Sequence, residues 1–196
     1  MHTLRRVGFL LLPLLLLLAG CSSYIGSARD FSPRAFEREP GWLRVEGVPF
    51  LHQRAESDCG AAAVAMVVSY WTSVAPAELA AKLQPAPARG LKAGVLRDFA
   101  TRHGLASFLV HGQLDDLAHE LESGRPVLVG LVKPQRKGVL THYEVVVAYH
   151  PGRALVVTLD PSEGWRQNSV PGFLAEWQPA GNLALVVSAA EPAAPP

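Results

Sequence analysis

The sequence is poor in cysteine and lacks the usual motifs for binding metals, nucleotides and nucleic acids. Only two of its 196 residues are cysteine. There is no HExxH or CxxC motif, and the acidic residues and histidines lack the spacing of metal ligands. There is no glycine-rich phosphate loop and no basic block, and 18 basic against 17 acidic side chains give almost no net charge. The sequence therefore predicts a protein that uses no metal or cofactor, binds no nucleic acid and acts independently of ATP.

The first twenty residues form a separate segment. Arg5 and Arg6 precede an apolar run from Val7 to Leu18, which is shorter than the about 20 residues that a membrane-spanning helix needs. This pattern predicts a signal peptide over residues 1–20. The residues Leu18-Ala19-Gly20-Cys21 resemble a lipobox, in which the cysteine is acylated and becomes the mature N-terminus. The resemblance implies a lipoprotein anchored through Cys21, and Ser22 after it implies the outer membrane, with the protein facing the periplasm.

The predicted globular domain is preceded and followed by segments in which apolar residues show no helical or strand periodicity. The polar residues after Cys21 predict a tether over residues 21–41, which would reach about 60 Å if extended. Residues 189–196, which are alanine, proline and one glutamate, predict a disordered tail. The domain is then predicted to comprise residues 42–188, a common size for a single domain.

Within this domain a helical half precedes a stranded half. The run Cys59–Trp71 is apolar on nearly every face and predicts a helix that is buried on most sides. Shorter helices are predicted over Pro76–Lys82, Lys92–His103 and Leu114–Ser123, and strands over Val127–Val132, Tyr143–Tyr149, Leu155–Leu159 and Leu183–Val187. Helices followed by strands predict an α+β domain in which N-terminal helices pack on a mostly antiparallel sheet.

Cys59 is the leading candidate for a reactive side chain. With Cys21 assigned to the lipobox, Cys59 is a lone thiol in an oxidising compartment and has no disulfide partner. It begins the predicted helix after the N-cap residues Ser57 and Asp58, and a helix N-terminus favours an anion such as a thiolate. Gln53 precedes it closely enough to supply, with the Cys59 backbone N–H, a two-donor oxyanion hole. The alternatives are a buried structural cysteine and a surface glutamine.

Among seven histidines, His142 is the best candidate for a general base. It opens the predicted strand Tyr143–Tyr149, and Asp160 closes the next one, so antiparallel neighbours would bring the two side chains together. His150 is the main rival, but it precedes a turn at the opposite end of the sheet. Glu144 shares the strand face of His142. It is interpreted as a solvated carboxylate at the sheet edge, with a substrate contact as the alternative.

Four segments together resemble a known family of peptidases. The stretches Gln53–Ala63, Met66–Tyr70, Thr141–Val147 and Asp160-Pro161 resemble the catalytic, histidine and aspartate segments of the bacteriocin-processing peptidases that remove double-glycine leaders. The resemblance covers about residues 48–187 and implies a papain-like cysteine peptidase fold. It also implies that Cys59 is the nucleophile, that His142 is the general base and then the acid, that Asp160 orients the imidazole and that Gln53 is an oxyanion donor.

The resemblance implies a peptide or protein substrate, with the Gly-Gly leader type as one candidate, and a link to secretion. The best-known members are fused to ATP-driven exporters, and no exporter segment occurs in this sequence, so the substrate and its cleavage site remain open. A cell-wall peptide amidase is one alternative, although such enzymes usually have the motif Asp-Cys-Ser-Gly and pair the cysteine with two histidines. A docking module that binds without cleaving is the other, although such modules tend to lose the cysteine that is present here.

Overall fold

The computed structural model describes residues 24–83 and 90–190. The predicted signal peptide and Cys21 lie outside the described residues, as does the end of the predicted tail from residue 191. No helix in the described ranges is both long enough and apolar enough to cross a membrane.

One antiparallel sheet organises the domain. Its strands follow the order β1-β7-β6-β5-β4-β8-β3, and the short β2 pairs with the long β5. Every strand pair within the described residues is antiparallel, which confirms the predicted α+β class with an antiparallel sheet. The strands are β1 Arg29–Asp30, β2 Leu43–Arg44, β3 Leu105–His111, β4 Val127–Gln135, β5 Gly138–His150, β6 Leu155–Asp160, β7 Gly164–Ser169 and β8 Leu183–Ala189.

Helices cover both faces of this sheet. The helices are α1 Cys59–Trp71, α2 Pro76–Ala81, α3 Ala93–Arg102, α4 Leu114–Glu122 and α5 Val170–Trp177. Helices α1, α2 and α3 share one core cluster with the sheet, while α4 and α5 share the other. Successive strand residues alternate between the clusters: Leu128 faces the first, whereas Val127 and Val129 face the second. Helix α1 is buried from Cys59 to Val68, as its uniformly apolar sequence predicted.

The prediction of a tether over residues 21–41 is wrong for its described part. Strand β1 pairs with β7 in the register Arg29↔Gln167 and Asp30↔Arg166. Phe31 and Phe36 then pack against Trp42 and Trp165, with ring centroids 4.9–6.4 Å apart within this group. Two phenylalanines in a polar stretch supply the apolar area that a free tether lacks. The domain therefore extends towards the N-terminus at least to Tyr24.

Several elements of the structure were not predicted from the sequence patterns. Strand β7 is largely polar, and its six residues are fixed by pairing with β6 rather than by an apolar period. Strand β3 is an edge strand, which presents apolar side chains such as Phe108 to solvent. At the C-terminal end, Ala189 pairs with Leu105, so β8 includes the first residue of the predicted tail.

Candidate active site

Cys59 is the first residue of α1 and is almost completely buried. A 3-10 turn over Glu56–Asp58 leads directly into the helix. The predicted side-chain N-cap is absent, because Asp58 has helical backbone angles and its carboxylate instead faces Arg54, with Oδ2 3.6 Å from Nε. The unpaired backbone N–H groups in the first turn of α1 still point out of its N-terminal end, where Cys59 lies. These N–H groups stabilise a negative charge that develops there.

His142 and Asp160 are in direct contact. Imidazole Nε2 lies 2.7 Å from Asp160 Oδ1. The imidazole is also hydrogen-bonded to the Cys59 side chain. Since Nε2 faces Asp160, the nitrogen left for the sulfur is Nδ1. One correction is needed, because His142 does not open its strand: β5 begins at Gly138, and His142 pairs with Leu131 inside it.

A β-bulge in β5 places Asp160 on the same face of the sheet as His142. The β5–β6 register shifts by one residue between Val146 and Ala148, so that Val145 pairs with Leu159. Continuing this register by one residue brings Asp160 opposite Glu144, on the strand face that Glu144 shares with His142. A one-residue difference in register moves a side chain to the other face of the sheet. Without the bulge, Asp160 would therefore point away from His142.

The surroundings of His142 favour its charged form. Burial disfavours the imidazolium, but hydrogen bonds to Asp160 and Cys59 and the negative charges of Asp160 and Glu144 outweigh it and raise the pKa of His142 to about 10. Burial alone would raise the pKa of Asp160, yet the contacts with His142 and Lys133 hold it well below its usual range. The pair is therefore an imidazolium against a carboxylate at neutral pH.

Glu144 is buried, so its interpretation as a solvated edge carboxylate is wrong. It is only 3% exposed, and its Oε1 accepts a hydrogen bond from the Lys133 ammonium. Its Oε2 accepts one from Thr158 Oγ1 on β6. Lys133, equally buried on β4, is the site residue that the sequence patterns did not single out. The available signal was a lysine near the end of an otherwise apolar run.

Ligand atoms of His142, Glu144 and Asp160 lie within 4.8 Å of one another, close enough to suggest a cation site. The Lys133 ammonium already bonds the two carboxylates, with Nζ 2.8 Å from Asp160 Oδ2. The cluster thus holds an internal cation. Its carboxylates are satisfied by side chains of the protein itself, and these residues do not fit a metal ion in addition.

Gln53 lies beside both the aspartate turn and the start of α1. Its backbone N–H donates to the Pro161 carbonyl oxygen at 2.8 Å, which ties the loop before α1 to the residue after Asp160. Its side chain lines a small cavity of about 110 Å³ together with Asp58 and Ala62. The side-chain oxygen is buried and has no hydrogen-bond partner among the described residues. The proposed oxyanion role of Gln53 stays a prediction.

The rival histidine lies elsewhere. His150 is at the far end of β5, where its Nε2 is 3.1 Å from the Pro40 carbonyl oxygen and its ring packs edge-on against Trp42. The structure thus brings together Cys59, His142 and Asp160 and excludes His150 from the group.

Two clefts meet at His142. One, of about 790 Å³, is lined by apolar residues that include Leu91, Tyr143 and Leu183. The other, of about 820 Å³, is lined by charged residues that include Glu163 and Arg166. His142 lines both clefts, whereas Cys59 lines neither, so an extended chain has room beside the imidazole.

The similarities to known proteins agree with this geometry. A family model described as the peptidase C39 family matches residues 47–191. A putative C39-like peptidase from Bacillus anthracis superposes with a TM-score of 0.63 at 16% identity, covering 77% of this chain and 99% of that one. A double glycine motif protease from an AMS/PCAT transporter, in complex with its leader peptide, gives 0.60 at 20% identity, covering 75% and 94%.

The peptidase domain of Streptococcus ComA, a bifunctional ABC transporter involved in quorum sensing, gives a TM-score of 0.56 at 22% identity, covering 74% of this chain and all of that one. At these identities the solved structures establish the fold, including its papain-like character. None of the curated proteins matches the chain.

Proposed function

Since the chain belongs to the peptidase C39 family and is a cysteine peptidase, we propose that it is an endopeptidase of the double-glycine type that cleaves an exported peptide or protein. The observation that carries this proposal is the buried His142 imidazole, which contacts Asp160 through Nε2 and the Cys59 side chain through its hydrogen bond. Acyl transfer by a thiol needs a nucleophile in contact with a base, and an acid that orients the base.

The proposed reaction has two stages. The Cys59 thiolate attacks the carbonyl carbon of the scissile bond, and the first-turn N–H groups of α1, with Gln53, stabilise the oxyanion. His142 donates its proton to the leaving amine as the C–N bond breaks, which leaves a thioester on Cys59. His142 then takes a proton from water, the water oxygen attacks the thioester, and the C–S bond breaks to return the thiolate.

The double-glycine preference is testable with synthetic peptides. The soluble protein from Ser22 onwards, without the lipid, is expected to cut a leader-type peptide directly after a Gly-Gly pair, as seen by mass spectrometry of the products. The same peptide with Val-Val at that position is the control and should remain intact. Equal cleavage of both peptides would reject the double-glycine preference. A protein that binds the first peptide without cutting it would favour the docking module.

We further propose that the protein is a lipoprotein held at the outer membrane through Cys21 and acts there near a secretion system. The sequence pattern of residues 1–21 supports the anchor, and the similarity to peptidase domains of transporters supports the link to secretion. Tyr24 pairs with Gln135 of the sheet, and only two residues separate Tyr24 from Cys21. Three peptide units reach about 11 Å at most. The anchor would therefore hold this edge of the domain close to the membrane, instead of at the end of a long tether.

Replacing Cys21 with serine tests the anchor. Cells that express the wild type are expected to incorporate labelled palmitate into the protein, whereas Cys21→Ser should leave an unlabelled form, because serine offers no thiol for acylation. Cys59→Ser is the matched control, since it removes the other cysteine and should keep the label. Equal labelling of wild type and Cys21→Ser would show that Cys21 is not the lipid site.

A further inference from the structure

Lys133 reaches the candidate active site from a neighbouring strand. It lies near the end of β4, is only 5% exposed and pairs with Leu140 of β5. Its ammonium donates hydrogen bonds to Glu144 Oε1 and, at 2.8 Å, to Asp160 Oδ2. A buried lysine is costly unless its charge is paired. Its burial beside the aspartate of the site therefore calls for a reason.

The two oxygens of Asp160 have separate sets of donors. Oδ1 faces His142 Nε2 and also accepts from the Ser162 backbone N–H and hydroxyl, each at 2.8 Å. Oδ2 accepts from Lys133. A carboxylate held at one oxygen can still tilt about its Cβ–Cγ bond. With both oxygens held, its plane is fixed, and so is the direction of the bond to the imidazole.

Charges alternate along this cluster. When Cys59 is a thiolate, the order is thiolate, His142 imidazolium, Asp160 carboxylate, Lys133 ammonium and Glu144 carboxylate. Burial tends to lower the pKa of Lys133, but the attraction of Glu144 and Asp160 outweighs burial and raises it above its usual range. Each of the three inner charges therefore lies between opposite charges, and each end charge is next to one, which is the condition under which buried ions persist.

Other charged or titratable groups surround the cluster. The Tyr24 ring covers the ammonium, with its centroid 5.0 Å from Lys133 Nζ, and the Tyr24 hydroxyl donates to Glu176 of α5. The groups that face His142 and Asp160 from the packed elements or line the cleft beside them are Cys59, Lys133, Tyr143, Glu144, Glu176, Tyr24, Arg29, Asp30, Glu56, Arg136, Lys137, Glu163 and Arg166. Among the residues that the structure describes, Lys133 is the cation that directly bonds Asp160 Oδ2.

We infer that Lys133 is a positioning residue, which fixes Asp160 through Oδ2 and thereby holds the His142 imidazolium against the Cys59 sulfur. This inference rests on the proposed function of the same site. Glu144 in turn holds Lys133, and Thr158 holds Glu144, so the support for the aspartate extends over β4, β5 and β6.

Lys133→Met tests this role without any substrate. Methionine keeps a long apolar stem but donates nothing to Asp160, and the carboxylates of Asp160 and Glu144 then repel each other. The His142 protonation equilibrium, followed by NMR of labelled histidine, is expected to move about tenfold towards the neutral form. Alkylation of Cys59 by iodoacetamide at pH 6 is expected to slow as well, because His142 is still charged at this pH but is held less firmly against the sulfur and stabilises the thiolate less. The His142 signal is identified by its loss in His142→Asn.

The direction of the change separates the possible roles. If Lys133 acted only as a distant cation, its removal would favour the imidazolium, and His142 would titrate at higher pH. If Lys133 served only to stabilise the fold, the melting temperature would fall while the titration of His142 in the folded protein stayed unchanged. Either result would overturn the inference, and both are read without cleavage, so they are independent of the proposed double-glycine specificity.

Two double variants test the inference further. Lys133→Met/Glu144→Gln leaves no unpaired buried carboxylate at Glu144 and should fold even if the single variant does not, with His142 again titrating at lower pH. Lys133→Met added to Asp160→Asn should cause no further loss of alkylation rate, because Lys133 acts through Asp160. An additional loss in that background would refute the inference. Arg125→Met, which breaks the ion pair with Glu120 on α4, is the control and should leave His142 unchanged.

Discussion

Replacing Cys59 with alanine is expected to abolish peptide cleavage while leaving the fold intact. No other group at the site can form the acyl-enzyme, so the covalent route disappears entirely. The side chain is buried but small, and alanine already occupies positions 61–63 of α1, so little stability should be lost. The measurement is the cleavage of a Gly-Gly leader peptide at high enzyme concentration, followed by mass spectrometry. Full activity remaining in Cys59→Ala would overturn the proposed mechanism.

Histidine variants sharpen this result. His142→Ala in the Cys59→Ala background should be no worse than Cys59→Ala alone, because residues that act as one unit are not additive. His150→Ala is the matched control: it removes a histidine from the same strand, but at the end that contacts Trp42 and Pro40. It should retain cleavage. Loss of activity in His150→Ala with an unchanged fold would reopen the assignment of the base.

The helical half of the fold and the strands of the sheet centre were accessible from the sequence. The run Cys59–Trp71 is so uniformly apolar that only a buried helix suits it, and its bounds agree with α1. Strand β7 was not accessible, because polar residues such as Arg166 and Gln167 carry no period. The strand forms through its backbone pairing with β6 and β1, which is a tertiary effect.

The contact between His142 and Asp160 was predicted, but the reason that it forms was only partly right. Strand neighbours do bring the two residues close, yet the face on which Asp160 lies depends on the bulge at Val147. Nothing in the run of valines around Val147 marks one of them as the extra residue. Bulges follow from how two strands fit together, so a single strand's sequence does not reveal them.

The Lys133–Glu144 pair was missed for a related reason. Each residue, taken alone in its strand, is typical of an exposed edge position. Only the pairing of β5 with β4 on one side and with β6 on the other brings the two side chains and Asp160 into one buried group. This group matters for the aspartate, because Lys133 is one of the four donors that hydrogen-bond the Asp160 carboxylate.

Asp160→Asn is expected to lower the cleavage rate by about 10³- to 10⁴-fold. The sequence alone predicts that asparagine is a mild change, since an amide oxygen can still accept a hydrogen bond from the imidazole. In the structure, however, both oxygens of Asp160 act as hydrogen-bond acceptors. One accepts from His142 and Ser162, and the other accepts from Lys133. An asparagine must turn its NH₂ group towards one of these sets. Either the imidazole loses its acceptor, or two donors face each other at Lys133.

The pH profile gives this prediction its sharpest test. Burial lowers the pKa of His142, but the contacts of its imidazole, foremost the hydrogen bond that it donates to Asp160, outweigh burial and raise this pKa from 6.5 to about 10. The charged imidazole is present below this value and is lost as the pH rises through it, so wild-type cleavage should decline on the alkaline side only near pH 10. Without the carboxylate, burial prevails and the decline should begin at lower pH. Ser162→Ala is the control, since it removes one hydroxyl donor and leaves the carboxylate charged, so its alkaline limb should stay near that of the wild type. An Asp160→Asn enzyme that is nearly as fast as the wild type and has the same alkaline limb would show that Asp160 does not stabilise the imidazolium.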